Sequence, residues 1–296
     1  MEDIDLVKTT SYGAEKDNPD IVLLSPHGGN SRQLVRKLNG SFDDDGDTLE
    51  TYFRIDADFG ANELAHGIAQ EIVDIRGDLR VDVVQVLFER GLVDPNRVSG
   101  FSNRNVFGYG KFGGSGELLR HVHDAAISIV DKRLSGIGKS NGIFFDLHSM
   151  ASHTPKDLQS EQPGRLNEYN FAYGSRSQRG ARRSLDLITD IPGEGMIASP
   201  VVFRNVAMAL ADDGVGFRRN NPYPRPGYPA RNVRSTWHML THPGLSLDFP
   251  KDLLTEGVAE DDRWDIANLK IDHGKVARTA KILARAAIQS LREIRL

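Results

Sequence analysis

Ile21-Val22-Leu23-Leu24-Ser25-Pro26-His27-Gly28-Gly29 joins a short apolar run to a histidine and a glycine turn. The run is too short for a helix, is rich in branched residues and stops at turn formers, so it reads as a buried strand. Working outward, the same form recurs. Val81–Phe88 ends at Glu89-Arg90-Gly91, Ile143-Phe144-Phe145 ends at Asp146-Leu147-His148-Ser149, and Leu245–Phe249 is stopped by Pro250. Between these runs, apolar residues at helical spacing predict helices over 61–74, 117–134 and 276–294. Strands alternating with helices predict an α/β fold around a mostly parallel sheet.

The sequence shows no internal repeat. Pro155 to Arg183 is polar and reads as a long excursion over the surface, and Asn221-Pro222-Tyr223-Pro224-Arg225-Pro226-Gly227 is a proline-rich turn. Neither is flanked by a second complete set of strands, so residues 1–296 are expected to form a single α/β domain. The chain has 296 residues, 39% hydrophobic and 26% charged, which excludes disorder over most of its length. Its 37 Lys and Arg against 41 Asp and Glu leave a net charge of −4, the wrong balance for a nucleic-acid binder. The absence of cysteine removes disulfides, thiolate metal sites and a cysteine nucleophile. No apolar run approaches the ~18 residues of a membrane span, and the acidic start is unlike a signal peptide. A cytoplasmic protein with no membrane or nucleic-acid partner is expected.

In open α/β sheets, ligands bind beyond the carboxyl ends of the strands. Four of the runs end in residues of catalytic type: His27; Arg90, Asp94, Asn96 and Arg97; His148; and Asp248. Two imidazoles and one carboxylate, with a position left for water, make a catalytic zinc site. The plainer alternative is a pair of polar histidines capping the sheet. For the third ligand, Arg54-Ile55-Asp56-Ala57-Asp58-Phe59-Gly60 offers two carboxylates just before a helix. Asp58 serves equally well as a helix N-cap, and Asn30 is a weaker donor. Arg97, beside Asn96, has the fork geometry to hold a substrate carboxylate. Its alternative is a loop salt bridge to Asp94.

Other signals read as background. Gly108-Tyr109-Gly110-Lys111-Phe112-Gly113 has the spacing of a dinucleotide loop but lacks the preceding strand that motif needs. Ser115 lacks the glycine two residues on that a nucleophile elbow requires, and reads as a helix N-cap. His238 and His242 have helical spacing, but Pro243 argues against a long metal-binding helix.

Taken in order, the motifs resemble the N-formylglutamate amidohydrolase family, relatives of zinc carboxypeptidases and aspartoacylases. The resemblance rests on Ser25-Pro26-His27-Gly28-Gly29, Asp58-Phe59, Arg90 with Asp94-Pro95-Asn96-Arg97, and His123-Asp124-Ala125. It continues through Asp146-Leu147-His148-Ser149-Met150 and Asn220-Asn221-Pro222-Tyr223. Two departures stand out: Val122 replaces a tyrosine, and Leu247-Asp248-Phe249 falls where the family strand carries glutamate. The resemblance implies a three-layer α/β/α fold with a mostly parallel or mixed central sheet. It implies Zn2+ on His27, His148 and Asp58, with Asp248 as general base and Arg97 at the developing oxyanion or a carboxylate. Arg90, Asn96, Arg97, Tyr223 and His123 would bind a small acylated amino acid, N-formyl-glutamate first. A metal-dependent amidase or peptidase acting on γ-glutamyl or cell-wall amides is the neighbouring alternative. A nucleotide-binding module built on Gly108–Gly113 is the alternative of another class.

Overall fold

A computed structural model of the chain describes residues 5–29, 34, 57–99, 115–150, 152–155, 179–191, 195–220, 233–256 and 269–296. The expected runs form strands β2 (Ile21–Ser25), β3 (Arg80–Val86), β4 (Ile143–Met150) and β11 (Gly244–Pro250), with β1 (Val7–Gly13) preceding them. Short strands β5 (His153–Pro155), β6 (Arg179–Arg182), β7 (Leu185–Ile188), β8 (Asp190–Ile191), β9 (Gly195–Met196) and β10 (Phe217–Arg219) complete the set. The helices are α1 (Ala61–Ile75), α2 (Ser115–Ser140), α3 (Pro200–Asp212), α4 (Arg234–Thr241) and α5 (His273–Ile294).

One seven-stranded sheet has the order β1-β3-β2-β4-β11-β7-β10. β3, β2, β4 and β11 are mutually parallel, β1 runs antiparallel to β3 and β7 antiparallel to β11, β10 pairs parallel with β7, and the sheet is therefore mixed. Helices α1, α3 and α5 pack together on one face. On the other face His238 of α4 meets the Phe144 ring edge-on, and Arg234 of α4 pairs with Asp131 of α2. Every residue of β2, β4 and β11 is buried. A sheet covered on both faces needs that, and it explains why the strands read as continuous apolar runs rather than alternating ones. Burying a large apolar side chain contributes roughly 1.5–3 kcal/mol. Phe144, Phe145, Ile21 and Leu23, all 0% exposed, thus anchor the strand centres and leave the strand ends for polar side chains.

Three boundaries differ from expectation. β4 continues through Asp146-Leu147-His148-Ser149, so His148 stands inside the strand rather than after it. α2 runs on to Ser140 through Gly136 and Gly138, with Ile137 fully buried. α4 is short, ending at His242 before Pro243 as the sequence predicts, and His238 bonds to Asp131. Ser115 is the first residue of α2 rather than the residue before it. The Gly108–Gly113 loop and most of the polar excursion after Pro155 lie outside the described residues; β5 and β6 pair at its base. Among the described residues no helix is long and apolar enough to cross a membrane.

Candidate metal centre

His27 follows β2, and of the two glycines after it Gly29 is required by close approach to backbone. A Cβ on Gly29 would stand 2.5 Å from the Phe88 carbonyl oxygen just beyond β3. The His27 backbone carbonyl accepts a hydrogen bond from the Asp58 N–H at 3.0 Å. The Phe59 carbonyl accepts one from the Ser149 hydroxyl, also at 3.0 Å. The segment carrying Asp58 is thereby pinned between the ends of β2 and β4. Gly60, with φ 91°, then starts α1 in the left-handed region, where a Cβ would meet Leu254 at 2.8 Å. No side chain caps α1. The capping alternative for Asp58 therefore gives way to the ligand-like one, because its carboxylate points at two histidines.

Nδ1 of His27 lies 3.1 Å from Oδ2 of Asp58, Nδ1 of His148 lies 2.9 Å from the same oxygen, and the two Nδ1 atoms are 3.2 Å apart. All three residues are buried. Ligands on bonds of about 2.0–2.1 Å in a tetrahedral shell stand about 3.3 Å apart, so the triangle has the size of a metal-binding face. The opposite ring nitrogens are also taken. Nε2 of His27 is 2.7 Å from Oδ1 of Asp94, and Nε2 of His148 is 3.0 Å from Oδ2 of Asp146. A carboxylate behind each imidazole fixes its tautomer and leaves Nδ1 as the electron-pair donor. The charges agree. Burial opposes a positive His148, yet Asp146 and Asp58 outweigh burial and raise its proton affinity well above the ordinary imidazole range. Burial likewise opposes ionisation of Asp58, but His27, His148 and Arg90 hold its carboxyl below the usual range. Surroundings that attract a proton this strongly also attract a divalent cation, and the donor set fits one.

This arrangement predicts that Asp146→Asn lowers metal affinity about 10–100-fold while all three donors remain, the usual effect of losing a carboxylate behind a ligating histidine. Titration against a chromophoric chelator measures it. An unchanged affinity would mean that Asp146 does not tune the site.

Asp248 stands directly beside His148 in the β11–β4 register and directly beside Asp186 in the β11–β7 register. His148, Asp248 and Asp186 thus stand abreast on one sheet face across three strands. Asp248 is 7% exposed, and its Oδ1 has no hydrogen-bond partner. Burial, reinforced by the charges of Asp58 and Asp186, pushes its carboxyl up to about 7, against the opposing pull of His148 and Arg183. Beyond β3, Asn96 places its Nδ2 3.2 Å from Nε2 of His148, and its Oδ1 accepts from the Ser235 N–H at the start of α4.

Against known proteins, no family model and no curated protein sequence matches the chain. Solved structures do. A gene product from Agrobacterium tumefaciens aligns over 98% of this chain and 96% of its own, with TM-score 0.56 and 16% identity. An N-formylglutamate amidohydrolase from Ralstonia eutropha JMP134 aligns over 97% of each chain, with TM-score 0.55 and 15% identity. The chain has the fold of an N-formylglutamate amidohydrolase. At these identities the likeness speaks for the fold, and the mixed α/β sheet with helices on both faces is the shared part.

On this amidohydrolase fold the expected substrate residues divide. Arg90 reaches Asp58 at 3.3 Å and Asp94 at 3.5 Å, so it braces two carboxylates of the centre. Arg97 approaches Asp94 at 3.6 Å, the loop ion pair that was its alternative role. His123 is buried, with Nε2 2.8 Å from the Arg97 carbonyl oxygen and Nδ1 2.9 Å from Asp124. It therefore fixes the backbone of Arg97. Tyr223 and Asn30 lie outside the described residues. Behind the histidines stand Asp94, which the sequence offers among the strand-end residues of catalytic type but without this role, and Asp146, which it offers only as part of a motif. One signal was available: in Asp146-Leu147-His148 the strand period of two puts both side chains on the same face.

Proposed function

We propose that this chain is a metal-dependent hydrolase cleaving the amide bond of an N-acyl amino acid, with N-formyl-L-glutamate, giving L-glutamate and formate, as the first substrate. The observation that carries the reading is the convergence of Nδ1 of His27, Nδ1 of His148 and Oδ2 of Asp58 at 2.9–3.2 Å, each imidazole backed by a carboxylate. The substrate follows from the ordered motifs and from the name of the Ralstonia eutropha protein that shares the fold.

His27, His148 and Asp58 would hold Zn2+, matching the two-imidazole, one-carboxylate set of hydrolytic zinc sites. The ion would supply Lewis-acid polarisation of the amide carbonyl and a lowered pKa for water. The remaining steps belong to the chain. Asp248 removes a proton from water as the water oxygen bonds to the acyl carbon. It then returns that proton to the amide nitrogen as the C–N bond breaks. A carboxyl lifted to about 7 suits both halves, since it is part ionised and part protonated near neutrality. Arg97 and Asn96, held by His123 and α4, receive the substrate carboxylate or the developing oxyanion.

The test is formate release from N-formyl amino acids. The metal-loaded protein should release formate, lose activity on chelation and regain it with zinc. Because Asp248 must be ionised to accept a proton, activity should rise as pH climbs through about 7. No formate from any N-formyl amino acid, with metal bound, would contradict the assignment.

A further inference from the structure

Asn62 has no part in the mechanism above, yet it touches the loop that carries a ligand. It lies in the first turn of α1, and its Nδ2 donates to the Gly28 carbonyl at 2.8 Å. The nitrogen must be the atom that faces Gly28, because a carbonyl oxygen only accepts. One residue earlier, the His27 carbonyl accepts from the Asp58 N–H. The consecutive carbonyls of His27 and Gly28 are thus held from one short segment, residues 58–62, which also carries the Asp58 carboxylate. Asn62 does not cap its own helix. α1 has no side-chain cap, and Oδ1 of Asn62 is buried with no hydrogen-bond partner among the described residues. Burying an unpaired amide oxygen is costly, so packing alone does not explain an asparagine at this place.

Gly28 supplies a second, independent observation. A Cβ there would stand 2.3 Å from Oδ1, 2.4 Å from Cγ and 2.5 Å from Nδ2 of Asn62. All three nearest atoms belong to that amide, whereas a Cβ on Gly29 would meet backbone. The room that glycine leaves at 28 is therefore filled by Asn62. A methyl group at 28 would push the amide aside at little cost to the fold, because the end of a side chain moves where backbone cannot. The Gly28 carbonyl would then lose its donor, and the loop behind the His27 imidazole would lose one of its ties. His148 differs in this respect. It stands inside β4, where the strand ladder fixes its backbone. Of the two histidines, His27 is the one whose main chain depends on a side chain for support, and a ligand is only as well placed as the groups that hold it.

We propose that Asn62 is a positioning residue of the metal centre. It holds the peptide after His27 so that Nδ1 of His27 meets Nδ1 of His148 and the Asp58 carboxylate, and Gly28 is glycine to admit it. The proposal rests on the metal-centre reading of the same site. Zinc affinity, by competition with a chromophoric chelator, tests it beside thermal unfolding of the metal-free protein. The proteins compared are wild type, Asn62→Ala, Gly28→Ala and the double variant. Each single substitution should weaken zinc about 10-fold, the lower end of what a support behind a ligand contributes. The double variant should lose no more than Asn62→Ala does, because both changes remove the same hydrogen bond. Zinc affinity equal to wild type in Asn62→Ala overturns the proposal, and a lower unfolding temperature beside it would assign Asn62 to stability alone. Equal affinity in Gly28→Ala overturns it too, and decides the matter even where Asn62→Ala fails to fold. So do losses that multiply in the double variant. A wild type that binds no zinc sinks the metal reading and this proposal together, whereas zinc binding indifferent to both substitutions sinks this proposal alone.

Discussion

His27→Ala and His148→Ala should each leave a folded protein that neither retains zinc nor hydrolyses an N-acyl amino acid. Each substitution removes one of three converging donors, so two remain for an ion that takes three from protein in hydrolytic sites. Loss of a carboxylate behind a ligand costs about 10–100-fold in affinity, and loss of the ligand itself should exceed that. Metal content after gel filtration and formate release measure the two effects, and circular dichroism checks the fold. The two variants need not be equally stable. His148→Ala also strips Asp146 of its histidine partner and leaves a buried carboxylate short of one hydrogen bond. If either variant kept full metal and full activity, the centre would lie elsewhere.

Asp248→Asn should lower turnover by roughly 10²–10⁴, the usual contribution of a general acid–base group, with zinc still bound. The amide preserves shape but cannot accept the proton. The fall in turnover should come with loss of the acidic limb of the pH profile, because the group that titrates near 7 is gone. Near-normal turnover in the zinc-loaded variant would remove Asp248 from the mechanism. The side-by-side register of Asp248 and His148 would then be packing alone.

The central strands were legible because they are buried on both faces. Ile21–Ser25 and the starts of β3, β4 and β11 show as apolar runs that no loop explains. The edges were less visible. β1, Val-Lys-Thr-Thr-Ser-Tyr-Gly, is half-exposed and polar, and only its pairing to β3 makes it a strand. The far end of β4 was misread for a chemical reason. Asp146, His148 and Ser149 look like turn residues, but their hydrogen bonds to one another, Ser246 and Phe59 let a strand bury them. The same bonds decide the site. His27, His148 and Asp248 were nameable from their places after or within apolar runs, whereas Asp58 stood as one of two carboxylates just before a helix and came forward as a ligand through the family resemblance. The pairing of Asp94 and Asp146 with the histidines needed three-dimensional register, as did the contacts of Arg90 with Asp58 and of His123 with the Arg97 carbonyl.

The most direct measurement is anomalous diffraction at the zinc edge from crystals of the metal-loaded protein. The account predicts one ion bonded to Nδ1 of His27, Nδ1 of His148 and Asp58, at about 2.0–2.2 Å, with Asp94 and Asp146 still holding the Nε2 atoms. An ion bound through Nε2, an ion away from these three residues, or no anomalous peak would contradict it.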